Sequence, residues 1–201
     1  MAVIPNNNDT VLTNFIWKNA DDLRGDFPHT QFGRIILPFT ILRRLECVLE
    51  ETKPNVLATY EQYKDQDLSL DVILKNVSQR PFYNVSNYSL ATLGGNKTKA
   101  NLEDYISKFS ENVRKIFEGF KFAQIIAELD AANLLLLISK NFAEIDLHPN
   151  VVPDRTMSNV YEHLIAKFGA EVGTGSEDFM TPHDVVHLAT TLLLHTDNEL
   201  F

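Results

Sequence analysis

Cysteine is almost missing from this chain: its 201 residues contain one, Cys47. That excludes an internal disulfide and fits a reducing compartment. Set in an apolar helical pattern, Cys47 is expected to be a buried, inert thiol. Eight glycines and eight prolines are too few for a long flexible linker or a low-complexity tract, and no internal repeat is visible. Long apolar runs are missing too. The longest, around Leu134-Leu135-Leu136-Leu137, falls far short of the ~20 residues that span a bilayer. The opening residues, MAVIPNNNDT, have neither the basic start nor the apolar centre of an export signal. A cytoplasmic protein without membrane association is the expectation. Positive charge is also scarce: 18 basic residues against 27 acidic ones leave a net charge of −9. Sequence-independent affinity for DNA needs several Lys or Arg set against phosphates. Any DNA contact made here would be local, with another domain or subunit supplying most of the attraction.

What the chain has in quantity is helical periodicity. Thr13 is placed to cap a helix running to about Leu23, with Phe15, Ile16, Ala20 and Leu23 on one face. Gly25 and Pro28 end it. Thr30 is placed to cap a second helix, to about Glu50. There Phe32, Ile35, Ile36, Phe39, Leu42 and Leu49 share one side while Leu37, Ile41 and Val48 fall on another, so burial on more than one face is expected. Pro38 removes a backbone donor inside this helix, which predicts a kink or a break. Further helices are predicted at about 55–64, 69–77, 100–108, 111–119, 120–130, 132–143 and 158–168. Arg80 to Tyr88 reads as an ordered loop or a short extended pair whose aromatics pin it to the core, rather than stacking on unpaired bases. His148 to Asp154, with two prolines, reads as a connector, and residues 169–177 as a polar hinge that carries the domain boundary.

Several constellations could carry chemistry. Arg34, Arg43 and Arg44 are the nearest thing to a basic patch. Salt bridges to Glu46, Glu50 or Asp21 are the plain expectation for them, and phosphate contact is the functional one. Leu93 to Thr98 is a turn and not a phosphate loop, because the first glycine is missing and Asn96 separates Gly95 from Lys97. Gly173-Thr174-Gly175 lacks a clear preceding strand and reads as hinge. His183-Asp184-Val185-Val186-His187 places two histidines at i and i+4, as in zinc proteases. The usual Glu is Asp and no third ligand is evident, so no metal site is assigned. Asp178-Phe179-Met180-Thr181-Pro182-His183 opens the last helix: Thr181 is placed as its N-cap and Pro182 suits its first position. Free N–H groups at such a terminus can receive an anion, for instance the carboxylate of a methionine moiety.

Two of these stretches carry a family resemblance. Asn14 to Lys53, NFIWKNADDLRGDFPHTQFGRIILPFTILRRLECVLEETK, resembles the opening of the modification (DNA methyltransferase) subunit of type I restriction–modification systems. Residues 178–183 resemble the Phe-x-Thr-Pro-like motif at which that family's methyltransferase domain begins. Phe179, Thr181 and Pro182 are in place, while Met180 and His183 depart from the commonest residues. The resemblance implies that Asp178, Phe179, Met180, Thr181, Pro182 and His183 line an edge of an S-adenosylmethionine pocket. It implies a parent enzyme that methylates the N6 of adenine in a bipartite site. That enzyme would work beside a specificity subunit, a second modification subunit and a restriction subunit, meeting double-stranded DNA through the complex. The family's Asn-Pro-Pro-Phe/Tyr motif does not occur up to Phe201. No catalytic residue is therefore assigned, and the expectation is a front piece that is inactive alone, with negligible cofactor affinity.

The expected architecture is mainly α. A helical bundle over residues 1–170 is followed, at 171–201, by the first helix of a truncated α/β, Rossmann-like methyltransferase domain. A reading from a different class is a stand-alone helical adaptor without catalysis. A lesser one is a metal-dependent hydrolase built on the His183–His187 pair.

Overall fold

The computed structural model describes residues 7–66 and 69–171, together with 185, 186, 188–191 and 193. Its elements are α1 (Asn7–Asp22), α2 (Phe32–Leu49), α3 (Lys53–Tyr63), α4 (Leu70–Ser78), α5 (Thr98–Ser107), α6 (Glu111–Gly119), α7 (Phe122–Ala131), α8 (Leu135–Glu144) and α9 (Asp154–Glu171). Short 3₁₀ turns at His29–Gln31 and Leu90–Thr92 precede α2 and α5. The architecture is mainly helical, as the periodicity predicts. Among the described residues the only extended pairings are two isolated bridges, Arg24 with Phe27 and Asn84 with Phe109. The expected start of an α/β domain at 171–201 lies almost wholly outside the described residues.

The helix α2 is the axis of the bundle. Ile35, Ile36, Phe39 and Leu42 are fully buried, and Leu37, Ile41 and Leu45 pack on the core from its flanks. The helices α1, α7, α8 and α9 all lie against it. A chain of aromatic rings runs through the centre. Phe39 meets Phe122 at 5.1 Å and Phe142 at 5.6 Å between centroids. Phe15 extends the chain from Phe142, and Phe117, Phe109 and Tyr105 extend it from Phe122. Rings in tilted and edge contact bury much apolar area and add attraction beyond that area.

Four boundary expectations need correction. The first helix begins at Asn7 and is not capped at Thr13. Asn7 to Asp22 hold helical backbone throughout, so Thr13 lies within the helix. Thr30 is not a cap either: it lies inside the 3₁₀ turn, and Gln31 holds the N-cap position of α2 without a side-chain bond to the backbone N–H groups of the first turn. Of the kink or break expected at Pro38, the break does not occur, because α2 runs through it. A helical proline costs about 3 kcal/mol, whereas each fully buried Ile, Leu or Phe contributes about 1.5–3 kcal/mol, and four surround Pro38 on this helix. Finally, α9 starts at Asp154, inside the expected connector, and continues to Glu171, inside the expected hinge. The carbonyl of Pro153 accepts the Met157 N–H at 2.9 Å, which begins the helix early.

The loop after α4 is ordered by its own polar groups. The Ser78 hydroxyl lies within hydrogen-bond reach of the carbonyls of Lys75, Arg80 and Phe82. The buried Asn84 donates to the Tyr105 carbonyl at 2.9 Å and accepts from the Ser86 N–H at 2.8 Å. Phe82 and Tyr88 pack on the core, so these aromatics pin the loop as expected.

Candidate functional site on the second helix

The charged residues of α2 face different neighbours and bind each in a different way. Arg34 donates to both carboxylate oxygens of Glu128 on α7 and, at 3.2 Å, to Gln31. Gln124 holds Glu128 from the other side at 2.8 Å. This pair is about one-third exposed on each partner.

Arg43 and Arg44 turn instead to the segment between α8 and α9. The Arg43 Nε donates to the Ile145 carbonyl at 2.7 Å, and its Nη1 to Glu46 at 2.8 Å. Burial works against the Arg43 charge, but the bond to Glu46 and the nearby Cys47 and Glu50 outweigh it, so its pKa is raised. The Arg44 guanidinium reaches three acceptors: the carbonyls of Leu147 and Val152 and the carboxylate of Asp154. A planar fork can satisfy several acceptors at once, which a lysine ammonium at the same place could not match. The loop it grips is closed by its own bonds. The N–H groups of Val151 and Val152 reach the His148 carbonyl at 2.9 and 2.8 Å, and Asp146 accepts the His148 N–H at 2.8 Å. The start of α9 is thereby fixed to the middle of α2.

Glu46 is the centre of a buried network that sequence reading treated only as a salt-bridge partner. One of its oxygens accepts the Leu90 N–H at 2.8 Å and the Tyr105 hydroxyl at 3.3 Å, and the other accepts from Arg43. Burial, and then the charge of Glu46, holds the Tyr105 phenol well above its ordinary pKa. Lys53 donates to the Tyr88 carbonyl and stands 5.0 Å above the Tyr105 ring. Burial lowers its pKa, against the pull of Glu46. A signal was available: Glu46 shares a helical face with Leu42 and Leu49, where a lone carboxylate requires partners.

A groove of about 500 Å³ runs between α2 and α9. Ile41 and Leu45 line one wall, Met157 and Tyr161 the other, and Arg44 with Asp154 stands at its edge. Burial pushes the Tyr161 phenol up to about 12.

Of the sequence-derived sites, Arg34, Arg43 and Arg44 are thus engaged by Glu128, Glu46, Asp154 and backbone carbonyls. Asp178, Phe179, Met180, Thr181, Pro182 and His183 lie outside the described residues, as do both histidines of the zinc-protease-like pair. Cys47 is fully buried and its thiol pKa is raised by that burial, as expected of an inert thiol.

Compared with known proteins, residues 12–141 match the family model described as the HsdM N-terminal domain. No curated protein and no solved structure matches the chain.

Proposed function

The chain belongs to the HsdM N-terminal domain family, the amino-terminal domain of type I restriction–modification methyltransferase subunits, and on that footing we propose that its bundle is an assembly module and not a catalytic one. The parent subunit transfers methyl from S-adenosylmethionine to the N6 of adenine in DNA, with a specificity subunit reading the sequence and a restriction subunit joining the complex. The bundle contacts those subunits, a second modification subunit and, through the assembled complex, the duplex. The observation that carries this reading is the family match over residues 12–141, which takes in the ring chain from Phe15 and Phe39 to Phe122, Phe117, Phe109 and Tyr105. The acidic balance of the chain supports it, because a 201-residue chain of net charge −9 needs partners to hold a polyanion.

Within that reading residues 1–170 act as the bundle, and 171–201 lead into the cofactor domain. Asp178 to His183 form an edge of the methyl-donor site, with their backbone N–H groups toward the donor's carboxylate. Arg43 and Arg44 set where α9 leaves the bundle and hence where that edge is presented. Their part, and that of Arg34, is to brace the fold, with phosphate contact left to the partners. The site of action is the cytoplasm, where DNA and the methyl donor meet.

Co-purification tests the reading. The 201-residue chain is expected to bind the specificity subunit of its own system in a defined ratio by size-exclusion chromatography. It is expected to show no measurable heat with S-adenosylmethionine by calorimetry. Failure to bind any subunit of that system removes the assembly role, and micromolar cofactor binding removes the division between bundle and cofactor domain.

A further inference from the structure

Charge is spread unevenly along this acidic chain. Residues 79–121, from the end of α4 to the start of α7, hold seven of the 18 basic residues but only four of the 27 acidic ones. Tertiary contacts gather several of these bases. The Arg114 Nη1 donates to the Ser107 carbonyl at 3.2 Å, beside Lys108, and Asn112 donates to the Pro81 carbonyl at 3.0 Å, beside Arg80. Arg80, Lys108 and Lys121 are exposed and make no ion pair among the described residues. The same face carries an apolar groove of about 590 Å³ between α5, α6 and α7, larger than the one between α2 and α9. Ile106, Phe117, Phe122, Ala123 and Ile126 line it. Arg114 and Lys121 stand along its α6 edge, seven positions and about 10 Å apart. Glu103 and Glu118 border it as well.

We infer that this groove receives an amphipathic helix of a partner subunit, with its apolar ridge inward and carboxylates toward Arg114 and Lys121. The inference rests on the assembly role proposed above and names the face that serves it. The wall formed by α6, nine residues long, is about 13 Å in length. Apolar side chains at i, i+3, i+4 and i+7 of a docked helix fill a groove of that length. Charge complementarity selects the acidic flank, because opposite charges across an interface steer docking and fix register. A DNA duplex suits the groove less well. Its phosphates would meet Glu103 and Glu118, and contacts to its backbone would leave the apolar lining uncovered. The α2–α9 groove offers no such match, since Arg44 at its edge is already held by Asp154 and two carbonyls.

Exposed positions allow the test without disturbing the core. Ala123→Trp fills the α5–α7 groove and Lys121→Glu reverses the charge at its edge, while Ser158→Trp, on the wall of the α2–α9 groove, is the control. Each 201-residue chain is titrated by calorimetry with the specificity subunit and with the restriction subunit of its own system. Circular dichroism and urea midpoints check that the variants fold as wild type does. Wild type is expected to bind at least one of the two subunits. Ala123→Trp and Lys121→Glu are expected to weaken that binding by about tenfold or more, and Ser158→Trp to leave it unchanged. Wild-type affinity in both groove variants overturns the inference and leaves the assembly role standing. A wild-type chain that binds neither subunit overturns both. Two further outcomes also overturn the inference. Weaker binding of a DNA duplex in Lys121→Glu, with subunit binding intact in Ala123→Trp, would assign this face to nucleic acid. A wild-type chain that dimerises alone and is made monomeric by Ala123→Trp would assign the groove to a second copy.

Discussion

A Cβ added at Gly33 would fall 2.8 Å from the Cβ of Phe168, closer than packed side chains approach one another. The glycine on α2 is what lets α9 come this near, and Phe168, seated 5.0 Å from the Trp17 ring, uses the space. Because the opposing atom is a Cβ, fixed by the α9 backbone, no rotamer change relieves the contact. Gly33→Ala should destabilise the fold by about 1–3 kcal/mol through overpacking, although alanine is the better helix former by about 1 kcal/mol. Urea unfolding checks it, and a midpoint at or above wild type would falsify the close approach. In a Phe168→Gly background the added methyl should be harmless.

Arg44 and Arg34 offer a matched contrast. The Arg44 side chain is 11% exposed and serves three acceptors, whereas Arg34 and Glu128 are 35% and 31% exposed. Arg44→Ala leaves two carbonyls without their donor and should cost about 2–4 kcal/mol. Arg44→Lys should recover less than half of that. Arg34→Ala should cost about 1 kcal/mol or less, as partly exposed pairs do. Equal losses on thermal unfolding for the two alanine variants would contradict the brace at the start of α9.

Glu46→Gln tests the buried network. The amide keeps the shape but turns one acceptor into a donor facing Arg43, or facing Leu90 and Tyr105. The expected loss is about 2–3 kcal/mol, while Tyr105→Phe, which removes a single hydroxyl, should cost about 1 kcal/mol. Chemical denaturation of both variants decides between this network and an unimportant surface charge.

Alkaline pH should expose the buried phenols. A phenol with a raised pKa contributes stability that is fully present below its unfolded value of about 10. That contribution is lost as pH climbs from there through the folded value, about 12 for Tyr161. Tyr105, also raised, acts with the same sign. Lys53 acts with the opposite sign: its lowered pKa penalises the fold while the ammonium is charged, and the penalty lifts as pH rises toward 10.5. Melting temperatures between neutral and strongly alkaline pH should fall less steeply in Tyr161→Phe and more steeply in Lys53→Met. Parallel curves for wild type and Tyr161→Phe would show that this phenol is not held in the folded state.

Cys47 gives a direct reading of unfolding. Fully buried and with a raised thiol pKa, it should react with alkylating reagents only as the chain opens. Its modification rate should rise with urea in step with loss of circular dichroism. Rapid alkylation of the native protein would place the thiol at the surface.

Much of this molecule was legible from residue spacing alone. The two faces of α2, the apolar positions of α6 to α8 and the inert cysteine follow from periodicities that any helix of these residues must obey. The aromatic loop between α4 and α5 was legible for the same local reasons, since its lack of helical period left its rings only the core to bind. The partners of the charged residues were not legible. Arg43 and Arg44 find carbonyls about a hundred positions away, and no local pattern announces a backbone oxygen as an acceptor.

Local chemistry by itself determined that the chain is helical, acidic and built around one apolar helix, because propensity, charge and 3.6-residue spacing act over a few residues. Only tertiary packing decided that Pro38 stays inside α2, that α9 begins early at Asp154, and that Gly33 must be small. Each of these depends on a surface brought in from a distant part of the chain. The free energy of burying that surface exceeds the local preference it overrides.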